Sequence, residues 1–189
     1  MKKLIALLVA TVFVSLLCVS LSSCRCEHEW DRNYDGFCDE CGTILNEVTK
    51  DEWVAGFNIT NAVVETLETT ESSGNEEGAE NKFYVVDGKV YPDSAEGNNA
   101  SWGMDFSALK SYFAFGLAYD SFSFDEDEAT YVCESLTVGG ITYENISVSF
   151  NASKNLAYVE YSVESGQNGR INVSIWVTAH GSATVPEKK

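Results

Sequence analysis

Residues 24–42 read C-R-C-E-H-E-W-D-R-N-Y-D-G-F-C-D-E-C-G, the densest run of chemically capable side chains in the chain. Two metal patterns overlap there. Cys26-x-His28 and Cys38-x2-Cys41 are two short-spaced pairs of thiolate and imidazole donors. Tetrahedral Zn²⁺ takes such pairs from tight turns, and Gly42 suits the turn after the second pair. Four protein donors would leave no position for an activated water, so the expected role is structural. The second pattern suits a harder ion. Asp31, Asn33, Asp35 and Asp39 sit where a calcium loop places oxygen ligands, Gly36 sits at its sharp turn, and Phe37 offers a backbone carbonyl. The closing bidentate glutamate is missing, because Gly42 holds that position and Glu40 is displaced from it. An oxidising exterior offers a third reading, a disulfide among Cys26, Cys38 and Cys41, with the odd thiol left to pair with Cys133.

Elsewhere the chemistry thins out. The chain has two histidines, and His180, in His180-Gly181-Ser182, has no partner visible in sequence. Cys133 lies in an apolar β run, which suits an inert buried thiol better than a nucleophile. Asp125-Glu126-Asp127-Glu128 reads as a solvated charge run. Paired acid–base carboxylates need environments that separate their pKa values, and an open run of like charges supplies none. No phosphate loop or zincin motif is present. The expectation is therefore a protein that is not an enzyme, with a small hydrolase as the third-ranked alternative.

The opening residues carry an address. Met1-Lys2-Lys3 is a short basic start, Leu4 to Leu21 is nearly all apolar, and the run closes on Leu21-Ser22-Ser23-Cys24. A basic start and an apolar stretch ending in small residues read as a secretory signal. A membrane-spanning anchor is the competing reading, since the stretch reaches the short end of what crosses a bilayer. Leu-Ser-Ser-Cys resembles the lipobox of bacterial lipoproteins. That resemblance implies cleavage before Cys24 and a diacylglycerol on its sulfur, which removes Cys24 from the metal donors. It also implies a chain tethered to the extracytoplasmic face of a bacterial cell membrane, or to an outer membrane if the host has two. The stretch after Cys24 resembles the Excalibur type of extracellular calcium-binding motif, with Cys38 one residue earlier than in that motif.

Composition narrows what such a chain can meet. The formal charge is −17, and losing Lys2 and Lys3 with the leader takes it to about −19. Nucleic acid requires a basic surface, so it is excluded as a partner. Ten Phe, nine Tyr and four Trp supply ample material for a core.

The remaining pattern predicts how these groups are carried: a signal over 1–23, a Cys-rich knuckle over 24–46, and a β domain over 47–189. Thr49 and Glu52 form a capping box for a short helix from Asp51 to Phe57, with Trp53 and Phe57 on one face. A strand follows from Ile59 to Thr69, then an acidic turn over 71–80. Asp87-Gly88 between two β runs predicts a two-residue hairpin. Asn98 to Gly103 reads as a loop. Phe106, Leu109, Phe113 and Leu117 have helical spacing over 105–117, with Asp105 as cap. Strands are predicted at 129–134, 146–150, 156–163 and 171–177, turning at Gly139-Gly140, Asn151–Asn155 and 165–169. In the last strand Ile171, Val173, Ile175 and Val177 face one way and Trp176 the other.

The expected fold is mainly β (α+β): a curved antiparallel sheet or half-barrel with one packed helix behind the metal knuckle. In outline it looks like the half-barrel of the LolA-type lipoprotein carriers. The first expectation of function is a β domain that binds a ligand or a protein partner. The second, implied by the carrier resemblance, is transport of a lipid or hydrophobic peptide on the sheet's apolar face.

Overall fold

The computed structural model describes residues 31, 35–72, 75–93, 102–107, 116–164 and 169–187. The predicted leader, Cys24, Cys26, His28, Asn33, residues 108–115 of the predicted helix, most of the 98–103 loop and residues 165–168 lie outside these.

The described residues form one open antiparallel sheet of nine strands. They are β1 (Ala62–Ser72), β2 (Asn75–Val86), β3 (Lys89–Pro92), β4 (Met104–Asp105), β5 (Ser123–Asp125), β6 (Thr130–Val138), β7 (Ile141–Phe150), β8 (Leu156–Glu164) and β9 (Arg170–Thr178). Their order is β4-β3-β2-β1-β9-β8-β7-β6-β5. Two meanders, β1–β4 and β5–β9, are zipped along their first and last strands, with Val64 opposite Val177 and Thr66 opposite Ile175. Among the described residues no helix is long and apolar enough to cross a membrane.

Turn chemistry sets the registers. Asp87 (φ 50°) and Gly88 (φ 70°) both take positive φ, which a two-residue turn matching strand twist requires. Gly139 and Gly140 do the same between β6 and β7. The Asn151–Asn155 turn is held by Asn151 itself, whose Oδ1 accepts from Ser153 N–H and Asn155 N–H, each at 3.0 Å.

Alternation then gives the sheet one apolar face. Val173, Ile175 and Val177 are buried with Val159, Tyr161, Val148, Ile146, Val64 and Val85. Helix α1 (Lys50–Gly56) closes over that face. Its capping box is formed: Thr49 Oγ1 accepts from Glu52 N–H, and the Glu52 carboxylate accepts from Thr49 N–H at 2.7 Å. Those hydrogen bonds hold the Glu52 carboxyl below its ordinary range. Trp53 is 2% exposed, and its ring lies within about 6 Å of those of Phe57, Tyr119, Phe122, Tyr131 and Phe150. The helix sits close because Gly56 has no side chain; a Cβ there would lie 2.5 Å from Phe150 Cε1.

One expectation is corrected. Residues 75–80 of the predicted acidic turn belong to β2, paired with β1 as far as Ser72 opposite Asn75. Backbone pairing with β1, itself paired with β9, overrides the weak β propensity of Glu, Gly and Asn. Asp105 closes β4 and its carboxylate pairs with Lys89 Nζ at 2.7 Å. Phe106 and Leu117 are buried in the core as their apolar character demands.

Candidate functional site

The end of the Cys-rich segment is a small hairpin. Phe37 bridges Ile44, Cys38 N–H donates to Thr43 O (2.8 Å), and Leu45 N–H donates to Gly36 O (2.8 Å). Cys38 O accepts from Cys41 N–H (3.3 Å) and Gly42 N–H (2.8 Å), and Gly42 takes φ +68°. Two of the four predicted zinc donors therefore stand on one tight turn. Cys38 is buried against Leu45, Cys41 and Ala152, and Cys41 is half-buried with its sulfur 3.2 Å from Thr43 Oγ1. No disulfide joins Cys38, Cys41 and Cys133 to one another, so the predicted pairing with Cys133 is not formed by either of them. Cys133 is half-buried on β6, and its thiol donates to Ser135 O.

The predicted calcium residues divide similarly. Asp31 accepts from Asp35 N–H (3.0 Å) and Gly36 N–H (3.1 Å), and Asp35 Oδ1 accepts from Phe37 N–H (2.9 Å). Those carboxylates fold the loop back on itself, helped by Gly36 at φ +85°. Asp39 lies beyond, exposed on the turn. Among the described residues no three His, Cys, Asp or Glu side chains converge on a common metal position.

The hairpin is fastened to the sheet. Asn46, 3% exposed, donates its amide to Ala129 O. Lys154 Nζ donates to Leu45 O (2.6 Å) and Glu47 O (2.7 Å). Tyr131 reaches out of the core to accept from Val48 N–H (2.7 Å) and donate to Val48 O (2.8 Å). Burial pushes the Tyr131 hydroxyl up to about 12, which keeps it a neutral donor at every physiological pH.

A second feature lies on the sheet face away from the core. Tyr158, Trp176, Glu65 and Lys82 are successive cross-strand neighbours on β8, β9, β1 and β2. Trp176 is 38% exposed, and its ring is 5.5 Å from that of Tyr158. Beside it an open groove of about 580 Å³ runs to the end of β3, lined by Glu65, Leu67, Glu80, Lys82 and Asp93 among others. Lys82 Nζ pairs with Glu65 at 2.7 Å, which holds the ammonium above its ordinary pKa. Tyr84 OH donates to Asp93 Oδ1 at 3.2 Å. Tyr91 stacks edge-on against Trp102 next to it. Alternation alone turns Trp176 outward; its neighbours on three other strands depend on register, which no local signal encodes.

His180 stands apart from both. Its Nε2 is 2.9 Å from Leu156 O, and burial lowers its pKa. The pocket beside it is lined by Gly56, Asn58, Ile59, Thr60, Asn61, Asn155 and Gly181, with no carboxylate among them.

Compared with protein families, curated proteins and solved structures, the chain matches none of them. Fold and site together define an open antiparallel β domain with a fastened Cys-rich hairpin and an aromatic groove.

Proposed function

We propose that this is a bacterial lipoprotein, held on the extracytoplasmic face of the cell membrane by lipid on Cys24, whose β domain is a non-enzymatic binding module. Its ligand site is the Trp176 groove. The supporting observation is the exposed indole itself. Trp176 stands beside Tyr158 on the polar face of a sheet whose opposite face is filled by Trp53, Phe57, Phe150 and their neighbours. Aromatic side chains left at a groove gain most when a ligand covers them, and such residues dominate binding energy at interfaces. A lipid carrier in a half-barrel needs an empty apolar cavity, and the filled face argues against it. A hydrolase needs acidic partners at His180, and the surroundings of that ring argue against it as well.

The Cys-rich hairpin serves as the structural spacer above the lipid, with zinc on Cys26, His28, Cys38 and Cys41. The tight turn carrying Cys38 and Cys41 fits two of four thiolate-and-imidazole donors, and such a metal would stiffen a segment too short for a core. Calcium at Asp31, Asn33, Asp35, Phe37 and Asp39 is the competing assignment.

Arrays of peptides and glycans probed with the full chain test the binding reading. Trp176→Ala is expected to weaken any captured ligand by at least about tenfold without lowering Tm. Equal capture by the variant overturns the groove assignment. Mass spectrometry of the native protein is expected to find a chain beginning at acylated Cys24; an intact leader removes the anchor.

A further inference from the structure

We infer that a linear aliphatic polyamine lies across the Tyr158–Trp176 ring pair, with one terminal ammonium in the Trp176 groove and the other in a second cavity beyond Tyr158. This rests on the Trp176 groove being the ligand site, and it names the ligand's chemistry.

The geometry begins with a ridge between two hollows. Tyr158 and Trp176 are cross-strand partners on β8 and β9, their rings 5.5 Å apart and tilted by 43°. The Tyr158 hydroxyl donates to Ser174 Oγ at 3.3 Å, which holds the ring on the outer face. On the β1 side of the pair lies the groove of about 580 Å³. On the β7 side lies a second cavity of about 390 Å³, walled by Asn46, Glu128, Ser147, Ser149 and Glu160 as well as by Tyr158. Both volumes have the size that takes small molecules.

Each hollow calls for a cation or a hydrogen-bond donor. In the groove Glu65, Glu80 and Asp93 outnumber Lys82, which pairs with Glu65 through Oε1 and leaves the second carboxylate oxygen able to accept. The sequence that continues from Asp93, S-A-E-G-N-N-A-S over 94–101, brings no basic residue to that end. In the second cavity Glu128 and Glu160 supply carboxylates, and Asn46 supplies a buried acceptor. Asn46 is 3% exposed; its amide nitrogen donates to Ala129 O, and its Oδ1 accepts from no donor among the described residues. A buried acceptor left unpaired is destabilising, and an N–H brought by a ligand relieves it.

A single metal ion is the wrong occupant, since among the described residues no three His, Cys, Asp or Glu side chains converge. The carboxylates are spread instead. Glu65 and Glu160 are two strands and one pleat repeat apart, about 12 Å between their Cβ atoms. A ligand that meets both carries separated positive charges and crosses two aromatic rings between them. Methylene stems pack on such rings, and an ammonium over the Trp176 face gains cation–π attraction. Linear polyamines combine these features, with ammonium groups joined by bare methylene chains.

The test is calorimetric titration of the full chain in detergent with the triamine spermidine. Putrescine, a four-carbon diamine too short to reach from Glu65 to Glu160, is compared with it, and magnesium chloride is offered as a competitor. Two variants alter the face, Trp176→Ala and Glu160→Gln. A third, Asp51→Asn, removes the same charge from α1 on the opposite side of the sheet. The expected result is one spermidine per chain, bound at least about tenfold more tightly than putrescine, weakened about tenfold by either face variant, and little changed by Asp51→Asn or magnesium. Putrescine binding the native chain as tightly as spermidine overturns the two-ended seat, whatever the variants do to folding. Equal weakening by Asp51→Asn and Glu160→Gln, or displacement by magnesium, reduces the binding to diffuse attraction toward an acidic chain and overturns the proposal as well. Failure of spermidine to bind, with Trp176-dependent capture of another ligand on the arrays, overturns the polyamine and leaves the groove reading standing. Failure of both overturns the two together.

Discussion

Trp53→Ala is expected to lower the unfolding free energy by about 4 kcal/mol, within the range for deleting a large buried aromatic. The reason is how many elements meet on one ring. Trp53 is carried by α1, yet its neighbours come from the 119–122 turn, β6 and β7. Its indole N–H also donates to Leu117 O at 3.1 Å, tying the segment that leads into the 119–122 turn to the helix. Truncation leaves a cavity among Phe57, Phe122 and Phe150 that these large rings cannot collapse into without leaving their own contacts. It also strips a buried carbonyl of its donor. Trp53→Phe keeps much of the volume and is expected to lose about half as much. Urea unfolding followed by circular dichroism gives both values. A Trp53→Ala loss below about 1 kcal/mol would mean that α1 docks through other residues, and the account of how the sheet is covered would fail.

How much of this architecture is legible before folding depends on how local its causes are. The Thr49/Glu52 capping box, the Asp87-Gly88 and Gly139-Gly140 turns and the alternation in β9 are each written within a few residues. The structure forms all four. The extension of β2 through Asn75–Glu80 is different. Its residues have poor β propensity, and they pair because β1, held on its other edge by β9, offers them a backbone partner. The β1–β9 pairing behind it joins residues about a hundred or more apart in sequence, so no window along the chain reveals it. The partner of Asp105 is likewise a matter of register, since the pairing of β3 with β4 sets Lys89 opposite it. The site follows the same division. Outward-facing Trp176 is readable from alternation, and the Cys38-x2-Cys41-Gly42 turn from its spacing. The company that Glu65, Lys82, Asp93 and Tyr158 keep with Trp176 is a property of register. The fastening of the hairpin by Tyr131 and Lys154 is likewise invisible, because a tyrosine in a strand and a lysine in a turn carry no mark of partners some 80 to 110 residues away.

Cys38→Ser is expected to empty the knuckle of metal. Purified wild-type full chain should carry about one zinc per molecule, and the variant none above background. The expected consequence is large because metal affinity in such short segments is folding free energy, of the order of 10 kcal/mol at neutral pH. Here the segment has fastenings besides the metal. Cys38 is 2% exposed against Leu45, and Asn46, Val48 and the Lys154 ammonium bind the following residues to the sheet. The loosening should therefore stop at the hairpin, with faster amide exchange at residues 35–44 while Val48 and the sheet stay protected. Because thiolates must be deprotonated to bind, zinc should also be lost progressively as the pH falls. Two controls separate the readings. Cys133→Ser removes a thiol on β6 that takes no part, and should keep zinc. Asp35→Asn removes a carboxylate from the competing calcium loop, and should leave zinc unchanged. Wild-type protein without zinc, carrying calcium that Asp35→Asn loses, would transfer the site from the thiolates to the carboxylates. A Cys38→Ser chain that retains its zinc would overturn the thiolate assignment directly, because three remaining donors and a hydroxyl no longer make a closed tetrahedral site.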